Sequence, residues 1–337
     1  RGKEMVKKIA INGFGRIGRL AFRSMLDMEN VEVVAINDLT NTEMLAHLLE
    51  FDSSQGRLEK SISFDDNTIY VDDKKVNIFS EKDPHNLPWK SLEIDLVLEC
   101  TGLFASKEKS QSHIDAGAKK VVISAPAGND LPTIVFGINE NTLTSDDKII
   151  SAASCTTNCL APIAKVLNDL SEVKSGFMTT LHAYTNDQST QDSPHPKGDL
   201  RRARAAALNI APTSTGAAKA IGLVIPELKG KLDGVSQRVP VSAGSLTELT
   251  AVCNGNIDVN TINEKVHQMS SDSFGYTNKP IVSSDIIGMK YGSLYDETLT
   301  KVFQMENETL VKISAWYDNE SSYVAQMIRT IEYFLKL

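Results

Sequence analysis

A cysteine at the start of a predicted helix is the side chain best suited to covalent chemistry in this sequence. Residues 151–159 read SAASCTTNC, and apolar residues then recur every three or four positions from Leu160 to Leu170. This spacing predicts a helix with Ser154 as its N-cap. Unpaired N–H groups in a first helical turn favour negative charge, so the Cys155 thiol is expected to have a lowered pKa and to attack carbonyl carbon. A buried structural cysteine fits the segment equally well.

His182, in the run 181–187 with sequence LHAYTND, is the candidate general base. An imidazole that met the thiol in space could take its proton, and later the proton of a substrate hydroxyl. A single histidine is more often structural, and the sequence does not show whether the two side chains meet. No metal site is expected, because Cys155 and Cys159 have no second pair of ligands beside them.

Basic and hydroxyl-bearing residues that could bind anions follow the histidine. Residues 201–204 read RRAR, and Thr215 and Gly216 precede a predicted helix whose free N–H groups could bind an anion. Arg238 lies in an otherwise apolar strand, where a charge needs a partner or a ligand. Each arginine could equally form an ion pair with one of the 43 acidic residues or remain in solvent.

The element that begins the chain is a strand, a glycine-rich turn and a helix. A buried strand ends at Asn12, the sequence GFGRIG follows at 13–18, and Asp38 comes after the next predicted strand. This combination is the dinucleotide-binding fingerprint. Gly13 permits the tight turn, Gly15 lets the backbone approach a pyrophosphate, and Gly18 lets helix and strand pack closely.

Asp38 bears on the choice of dinucleotide. Its carboxylate can accept hydrogen bonds from both ribose hydroxyls and would repel a 2′-phosphate, so NAD is expected rather than NADP. Thr101, Gly102 and Ser124 follow later predicted strands. Because ligands bind at the carboxyl ends of parallel strands, these three residues are plausible neighbours of the cofactor.

The pattern of elements predicts two domains in the 337 residues. Strands and helices alternate up to Ser151, including a predicted strand at 133–136, which is typical of a parallel sheet covered by helices. Longer strands with alternating polarity follow, with few helices between the last of them. The expected fold is α/β: a Rossmann-type parallel-sheet domain (1–154, completed by the C-terminal helix 320–337) and an α+β catalytic and oligomerisation domain with a mainly antiparallel sheet (155–319).

Composition excludes several other classes of protein. The formal net charge of −8 disfavours nucleic acid as a primary partner, and no apolar run is long enough to span a membrane. Four cysteines in a chain of this length do not make a disulfide scaffold. A reducing, cytoplasmic location is therefore expected.

Five segments, taken together, resemble phosphorylating glyceraldehyde-3-phosphate dehydrogenases. They are NGFGRIGR at 12–19, SCTTNC at 154–159, HAYT at 182–185, RRARAA at 201–206 and WYDNE at 316–320. They occur in the family's order over nearly the whole chain, and the SCTTN segment with its downstream histidine is highly specific. The resemblance implies oxidation of glyceraldehyde 3-phosphate to an acyl phosphate with NAD and inorganic phosphate, in the pathway of glycolysis and gluconeogenesis.

The resemblance also implies roles for individual residues. Cys155 is implied as the nucleophile that forms a hemithioacetal and then a thioester, and His182 as the base. The implied phosphate-binding residues are Thr185, Asp187 and Arg238 for the substrate and Ser154, Thr156, Arg204, Thr215 and Gly216 for inorganic phosphate. The implied cofactor-binding residues are Gly13, Phe14, Gly15, Arg16, Ile17, Gly18, Asp38, Thr101, Gly102, Ser124, Asn186, Asn319 and Tyr323. The other two arginines of the 201–204 run are interpreted as ion-paired with acidic residues or solvated at the surface.

Two further expectations follow from the resemblance. The chain is expected to form a homotetramer, in which the stretch 187–202 resembles a loop that reaches the cofactor of an adjacent subunit. A related enzyme that oxidises erythrose 4-phosphate shares most of these motifs and is the alternative.

Overall fold

The computed structural model describes residues 6–337, which form two compact units. The first unit extends to Ile134 and also includes Glu140–Ala153 and Met327–Leu337. The second comprises Val135–Asn139 and Ser154–Gln326. The boundaries between the units lie before Ser154 and, inside the last helix, before Met327. The boundaries predicted from the sequence lie after residues 154 and 319.

The first unit is built on an eight-stranded sheet with the order β3-β4-β5-β2-β1-β6-β7-β8. Its strands are β1 (Lys7–Asn12), β2 (Val31–Asn37), β3 (Ile62–Asp65), β4 (Thr68–Val71), β5 (Lys74–Phe79), β6 (Leu96–Glu99), β7 (Lys120–Ile123) and β8 (Ile149–Ser151). Its helices are α1 (Arg16–Met25), α2 (Thr42–Glu50), α3 (Trp89–Leu92) and α4 (Lys107–Asp115). All pairs are parallel except β3 with β4 and β4 with β5.

The central strands of this sheet are buried on both faces. Every residue of β6 is buried, as are the last four residues of β1. Such continuous apolar strands are typical of parallel sheets. The carboxyl ends of β1, β2 and β6 lie side by side, because β1 pairs with both of the others in parallel register.

The second unit contains another eight-stranded sheet, ordered β10-β11-β9-β12-β16-β14-β13, with β15 also paired to β16. Its elements are α5 (Cys155–Leu170), β9 (Val173–Ala183), β10 (Ala211–Ser214), α6 (Ala217–Val224), β11 (Leu232–Val239), β12 (Ser245–Asn254), α7 (Val259–Met269), β13 (Phe274–Thr277), β14 (Ser293–Asp296), β15 (Lys301–Met305) and β16 (Glu308–Tyr317). The last helix, α8 (Ser321–Lys336), begins in this unit. Two of the strand pairs are parallel, β9 with β11 and β13 with β14, and the others are antiparallel.

One face of this second sheet is buried and the other is open. Burial alternates residue by residue along β12, from Ser245 to Asn254. This alternation is the signature of a sheet covered on one face only. The open face carries Phe177, Val235 and Phe303, which are 73%, 46% and 68% exposed.

The predicted fold class is confirmed: a mostly parallel Rossmann-like sheet and a second, mainly antiparallel one. The predicted strand at 133–136 is wrong, because only Thr133 pairs, as an isolated bridge to Ser151. The stretch from about 51 to 90, which the sequence indicates to be an insertion with short strands, supplies three strands that extend the first sheet. Between residues 6 and 337, no helix combines the length and apolar character needed to cross a membrane.

Candidate active site

Cys155 is the first residue of α5, as the sequence predicted. Ser154 has extended backbone (φ −108°, ψ 164°), and its Oγ accepts a hydrogen bond from the Thr157 N–H at 3.1 Å. A small residue with left-handed backbone, Ala153 (φ 57°), precedes this cap. Non-glycine residues in that conformation are uncommon and cluster at functional sites. The local geometry holds the thiol at the helix start, half-buried.

The structure brings His182 to the thiol. His182 lies near the end of β9, and its Nε2 is 3.5 Å from the Cys155 Sγ. The Nδ1 atom is 2.7 Å from the Ala183 carbonyl oxygen, which can only accept, so Nδ1 carries the proton. The Nε2 lone pair therefore faces the thiol. This is the geometry of a nucleophile and its general base.

Burial sets the protonation states of this pair. Burial, with help from the charge of Arg238, lowers the pKa of His182 to about 4, so the imidazole is neutral at pH 7. Burial also raises the pKa of the Cys155 thiol, against the opposing effects of Arg238 and Thr156. The expected lowering of the thiol pKa is wrong for the protein without ligands, because desolvation outweighs the helix start. Thiolate formation therefore depends on His182 as proton acceptor.

A guanidinium group lies next to the histidine. Arg238 of β11 is directly opposite His182 in the parallel β9–β11 register. Its Nη1 donates to the Thr185 Oγ at 2.6 Å, and its Nη2 is 3.5 Å from the Asp187 Oδ2. Although burial acts in the other direction, Arg238 holds the pKa of Asp187 below its usual range. The Arg238 Nε is buried without a hydrogen-bond partner. An unpaired donor of this kind suits an anionic ligand.

The structure distinguishes the arginines of the 201–204 run. Arg202, interpreted from sequence as ion-paired with an acidic residue or solvated, has a side chain only 16% exposed. Its Nε donates to Asp187 at 2.9 Å, and its Nη1 donates to Asp199 at 2.5 Å. Arg204, the arginine favoured from sequence, is 60% exposed and pairs with Asp192 at 2.8 Å. Arg202 is thus the member of the run that shares Asp187 with Arg238.

The remaining predicted phosphate residues lie at two helix starts. Ser154 and Thr156 belong to the start of α5, and Thr215 and Gly216 come directly before α6. The Thr215 Oγ accepts a hydrogen bond from the Ala217 N–H at 3.2 Å. A Cβ placed on Gly216 would meet nothing within 4 Å, so the backbone there is open to a ligand.

The glycine-rich turn has the geometry that the fingerprint requires. Gly13 has φ +92°, and a Cβ there would lie 2.7 Å from the Thr101 nitrogen. A Cβ on Gly18 would lie 2.2 Å from the Gly13 carbonyl oxygen. A Cβ on Gly15 would meet nothing within 4 Å, so the N-terminus of α1 has free space in front of it. That space suits a pyrophosphate at a helix N-terminus.

Asp38 is held beside this turn. Its Oδ2 accepts a hydrogen bond from the Phe14 N–H at 2.8 Å, and its Oδ1 accepts one from the Thr40 N–H at 2.9 Å. A cavity of about 510 Å³ lies close by, at the carboxyl ends of β2 and β5. Thr40, Phe79 and Ser80 are among its lining residues. Turn, carboxylate and cavity together fit the adenosine and pyrophosphate parts of a dinucleotide.

Comparison with known proteins identifies the family. Residues 7–107 match the model of the glyceraldehyde 3-phosphate dehydrogenase NAD-binding domain, and residues 154–319 match that of the C-terminal domain of the same enzymes. The chain belongs to the glyceraldehyde-3-phosphate dehydrogenase family.

Relatives of that name align along nearly the whole chain. Proteins named glyceraldehyde-3-phosphate dehydrogenase from Clostridium pasteurianum and Clostridium acetobutylicum are each 60% identical over 330 residues, which is 98% of this chain and 99% of theirs. One from Streptococcus pyogenes is 56% identical over 334 residues, covering 99% of both chains. The predicted resemblance is confirmed, and the family supports NAD as cofactor.

Four other predicted cofactor residues lie in the first unit, in α1 or after the strands β6 and β7. Arg16 donates to Asp52 at 2.5 Å, and Ile17 follows it in the first turn of α1. Gly102 has φ +72°, and the Ser124 N–H donates to the Glu99 carbonyl oxygen at 2.9 Å.

Three more predicted cofactor residues belong to the second unit. The Asn319 Oδ1 accepts a hydrogen bond from the Ser245 Oγ at 3.2 Å, which ties this amide to the strand beside β9. Tyr323 is buried in α8, and Asn186 is exposed. Their roles toward a cofactor remain predictions.

Tyr317 is a residue of the site that sequence reasoning did not assign. Its hydroxyl bridges the Thr156 Oγ at 2.9 Å and the Thr180 Oγ at 2.8 Å. Its ring meets the His182 ring edge-on, with centroids 5.9 Å apart. Tyr317 lies in the WYDNE segment, but its position along the chain does not indicate a role in this site. The pairing of β12 with both β16 and β9 brings it next to the thiol and the imidazole.

Proposed function

We propose that this chain catalyses the oxidation and phosphorylation of D-glyceraldehyde 3-phosphate to 1,3-bisphosphoglycerate, with NAD and inorganic phosphate. The observation that carries the proposal is that the Cys155 Sγ lies 3.5 Å from the His182 Nε2, whose lone pair faces it. Neutral imidazole beside a half-buried thiol is suited to covalent catalysis on a carbonyl carbon. The full-length relatives described above support the choice of aldehyde.

The first step proposed is addition of the thiol to the aldehyde. His182 Nε2 accepts the thiol proton while sulfur forms a bond to the carbonyl carbon, and the resulting imidazolium returns that proton to the oxygen. The product is a hemithioacetal on Cys155. The substrate phosphate is assigned to Arg238, Thr185 and the adjacent Arg202. Their two guanidinium groups supply the positive charge that a phosphate requires.

In the second step, His182 removes the hydroxyl proton of the hemithioacetal. The electron pair of that O–H bond forms the carbonyl of a thioester, and the C–H bond is lost as hydride. NAD, when bound, supplies the hydride acceptor. The neutral state of His182 matters here, because an imidazolium could not accept the proton.

The last step transfers the acyl group to phosphate. A phosphate oxygen attacks the thioester carbon, the C–S bond breaks, and the Cys155 thiolate leaves. Inorganic phosphate is assigned to Ser154, Thr156 and the open backbone at Gly216, near the hydroxyl of Thr215. Helix N-termini with hydroxyl side chains are suitable for binding this anion.

We also propose that the chain acts as a cytoplasmic homotetramer. The open face of the second sheet supports association, since it exposes Phe177, Val235 and Phe303. Exposed apolar patches of this kind commonly mark interfaces. The four cysteines are all unpaired thiols, which suits a reducing compartment.

The proposed function is tested by following NADH formation with two aldehydes. We expect turnover with glyceraldehyde 3-phosphate to require inorganic phosphate or arsenate, and to exceed turnover with erythrose 4-phosphate. Cys155→Ser should abolish turnover and leave NAD binding intact. A rate independent of phosphate, or a preference for the four-carbon aldehyde, would contradict the proposal.

A further inference from the structure

A buried carboxylate lies beneath the glycine-rich turn and has no part in the proposed chemistry. Glu99, the last residue of β6, is 1% exposed. Its Oε1 accepts hydrogen bonds from the N–H (2.7 Å) and the Oγ (2.5 Å) of Thr101. Its Oε2 accepts from the Asn12 Nδ2 at 2.6 Å and lies 3.0 Å from the His113 Nε2. A buried charge is costly unless hydrogen bonds of this kind satisfy it.

The proton on His113 is fixed by a tryptophan. The Trp89 Nε1, which can only donate, is 3.1 Å from the His113 Nδ1. His113 Nδ1 is therefore the acceptor, and its Nε2 carries the hydrogen that is donated to Glu99. Among residues 6–337, the groups that donate hydrogen bonds to the Glu99 carboxylate are thus all neutral.

Glu99 connects the two sides of the turn. Asn12 comes directly before Gly13, and Thr101 is the residue on which Gly13 packs, with only 2.7 Å for a Cβ. One oxygen of Glu99 holds Asn12 and the other holds Thr101. Glu99 therefore links the residue that precedes Gly13 to the residue against which Gly13 packs.

The same network reaches the ribose-binding candidate. The Asn12 Oδ1 accepts from the Asn37 Nδ2 at 2.7 Å, and Asn37 is followed by Asp38. Asn37 is further held by two hydrogen bonds to the backbone of Glu81. Side chains at the ends of β6, β1 and β2 are joined in one chain of hydrogen bonds.

We propose that Glu99 is a positioning residue for NAD, which fixes the turn and Asp38 in the arrangement that accepts the pyrophosphate and the ribose. This inference rests on the proposed function only in taking NAD as the dinucleotide. The carboxylate is required because its two oxygens accept from donors on both sides. In Glu99→Gln the side-chain NH2 group would face hydrogen-bond donors on one side. The hydrogen bond to either Asn12 or Thr101 would therefore be lost.

The test compares two variants that each remove one carboxylate charge, one at each end of β6. Asp95 lies just before β6, at its opposite end, where it accepts from the Lys8 N–H at 2.9 Å and from the Lys119 Nζ at 2.8 Å. Calorimetric titration of the full-length chain with NAD is expected to give a dissociation constant about tenfold higher for Glu99→Gln, the effect of one broken buried hydrogen-bond set. For Asp95→Asn it should stay within about twofold.

Two further readouts separate positioning from a general loss of structure. Glu99→Gln should raise KM for NAD about as much as the dissociation constant, and should leave kcat at saturating NAD and the cofactor-free alkylation rate of Cys155 within about twofold. Equal NAD affinity in Glu99→Gln and wild type, or equal weakening in both variants, would overturn the inference. If Glu99→Gln does not fold, Asn12→Ala, which breaks the link at the turn, is titrated under the same criteria.

The two proposals fail in different ways. Phosphate-dependent NADH formation is measured on the same wild-type sample that is titrated. An inactive wild type that still binds NAD would remove the proposed function and leave the positioning test valid. An active wild type with unchanged affinity in Glu99→Gln would remove the positioning role alone.

Discussion

At the scale of single residues, the proposed chemistry depends on the protonation states of Cys155 and His182. Burial raises the pKa of the Cys155 thiol and lowers the pKa of His182 to about 4. Neither group is charged at neutral pH in the ligand-free protein. In the proposed mechanism, the thiol proton moves to His182 as sulfur begins to bond to carbon, so no free thiolate has to form in this desolvated site.

The neutral state of His182 predicts an acid-sensitive contribution to stability. An unfolded histidine has a pKa near 6.5, whereas the folded value is about 4, so between these pH values the unfolded chain binds the proton first. The contribution is complete above pH 6.5 and is lost as the pH falls to about 4, and it amounts to about 3 kcal/mol. Urea unfolding at several pH values should show a smaller acid loss for His182→Gln than for wild type. Parallel curves would contradict the buried neutral imidazole.

Replacing Arg202 or Arg204 by alanine is expected to affect the KM for phosphate-bearing substrates differently. Arg202→Ala should raise KM for glyceraldehyde 3-phosphate at least about tenfold, because it removes one of the two guanidinium groups assigned to the substrate phosphate and the hydrogen bond of that group to Asp187. Arg204→Ala removes only an exposed pair with Asp192 and should change KM for glyceraldehyde 3-phosphate or for inorganic phosphate less than about threefold. Steady-state kinetics with each substrate varied in turn make the comparison. A larger effect at Arg204 would contradict this prediction and support the assignment of Arg204 made from sequence.

At the scale of elements, two glycines of one turn have separable tasks. Gly15 has φ −74° and open space around it, so Gly15→Ala should fold normally but fill the space for the pyrophosphate, weakening NAD binding at least about tenfold. Gly18→Ala forces a contact of 2.2 Å with the Gly13 carbonyl and should lower the melting temperature of the cofactor-free protein. Thermal unfolding and NAD titration of both variants test this. A destabilised Gly15→Ala with normal affinity would reverse the assignment.

Elements encoded by local spacing could be predicted from the sequence. The Ser154 cap, the start of α5 and the turn at 13–18 depend on neighbours within a few residues, and all have the predicted form. The sequence could not predict which arginine of the 201–204 run is buried. Arg202 pairs with Asp187, which is fifteen residues away, and this contact depends on the path of the loop between them. The shift in the thiol pKa is also non-local, because its causes include burial and the charge of Arg238 on β11.

At the scale of the whole molecule, the open face of the second sheet predicts the assembly. Phe177 and Val235 share this face, because Val235 is paired with Thr179, two residues beyond Phe177 on β9. Light scattering of the wild type should give about four times the chain mass of 36.8 kDa. Phe177→Glu should reduce that mass, because a charge cannot be buried there without a partner. Val282→Glu changes an apolar residue of a loop, 58% exposed, and should leave the mass unchanged. A monomeric wild type would contradict the predicted tetramer.

The most direct test of the central claim is mass spectrometry of the protein mixed with glyceraldehyde 3-phosphate and NAD in the absence of inorganic phosphate. The account predicts one NADH formed per chain and an acyl group attached to Cys155, which added phosphate removes at once as turnover begins. Continuous NADH formation without phosphate, or an unmodified Cys155 after one turnover, would show that the reaction does not pass through a thioester on this residue.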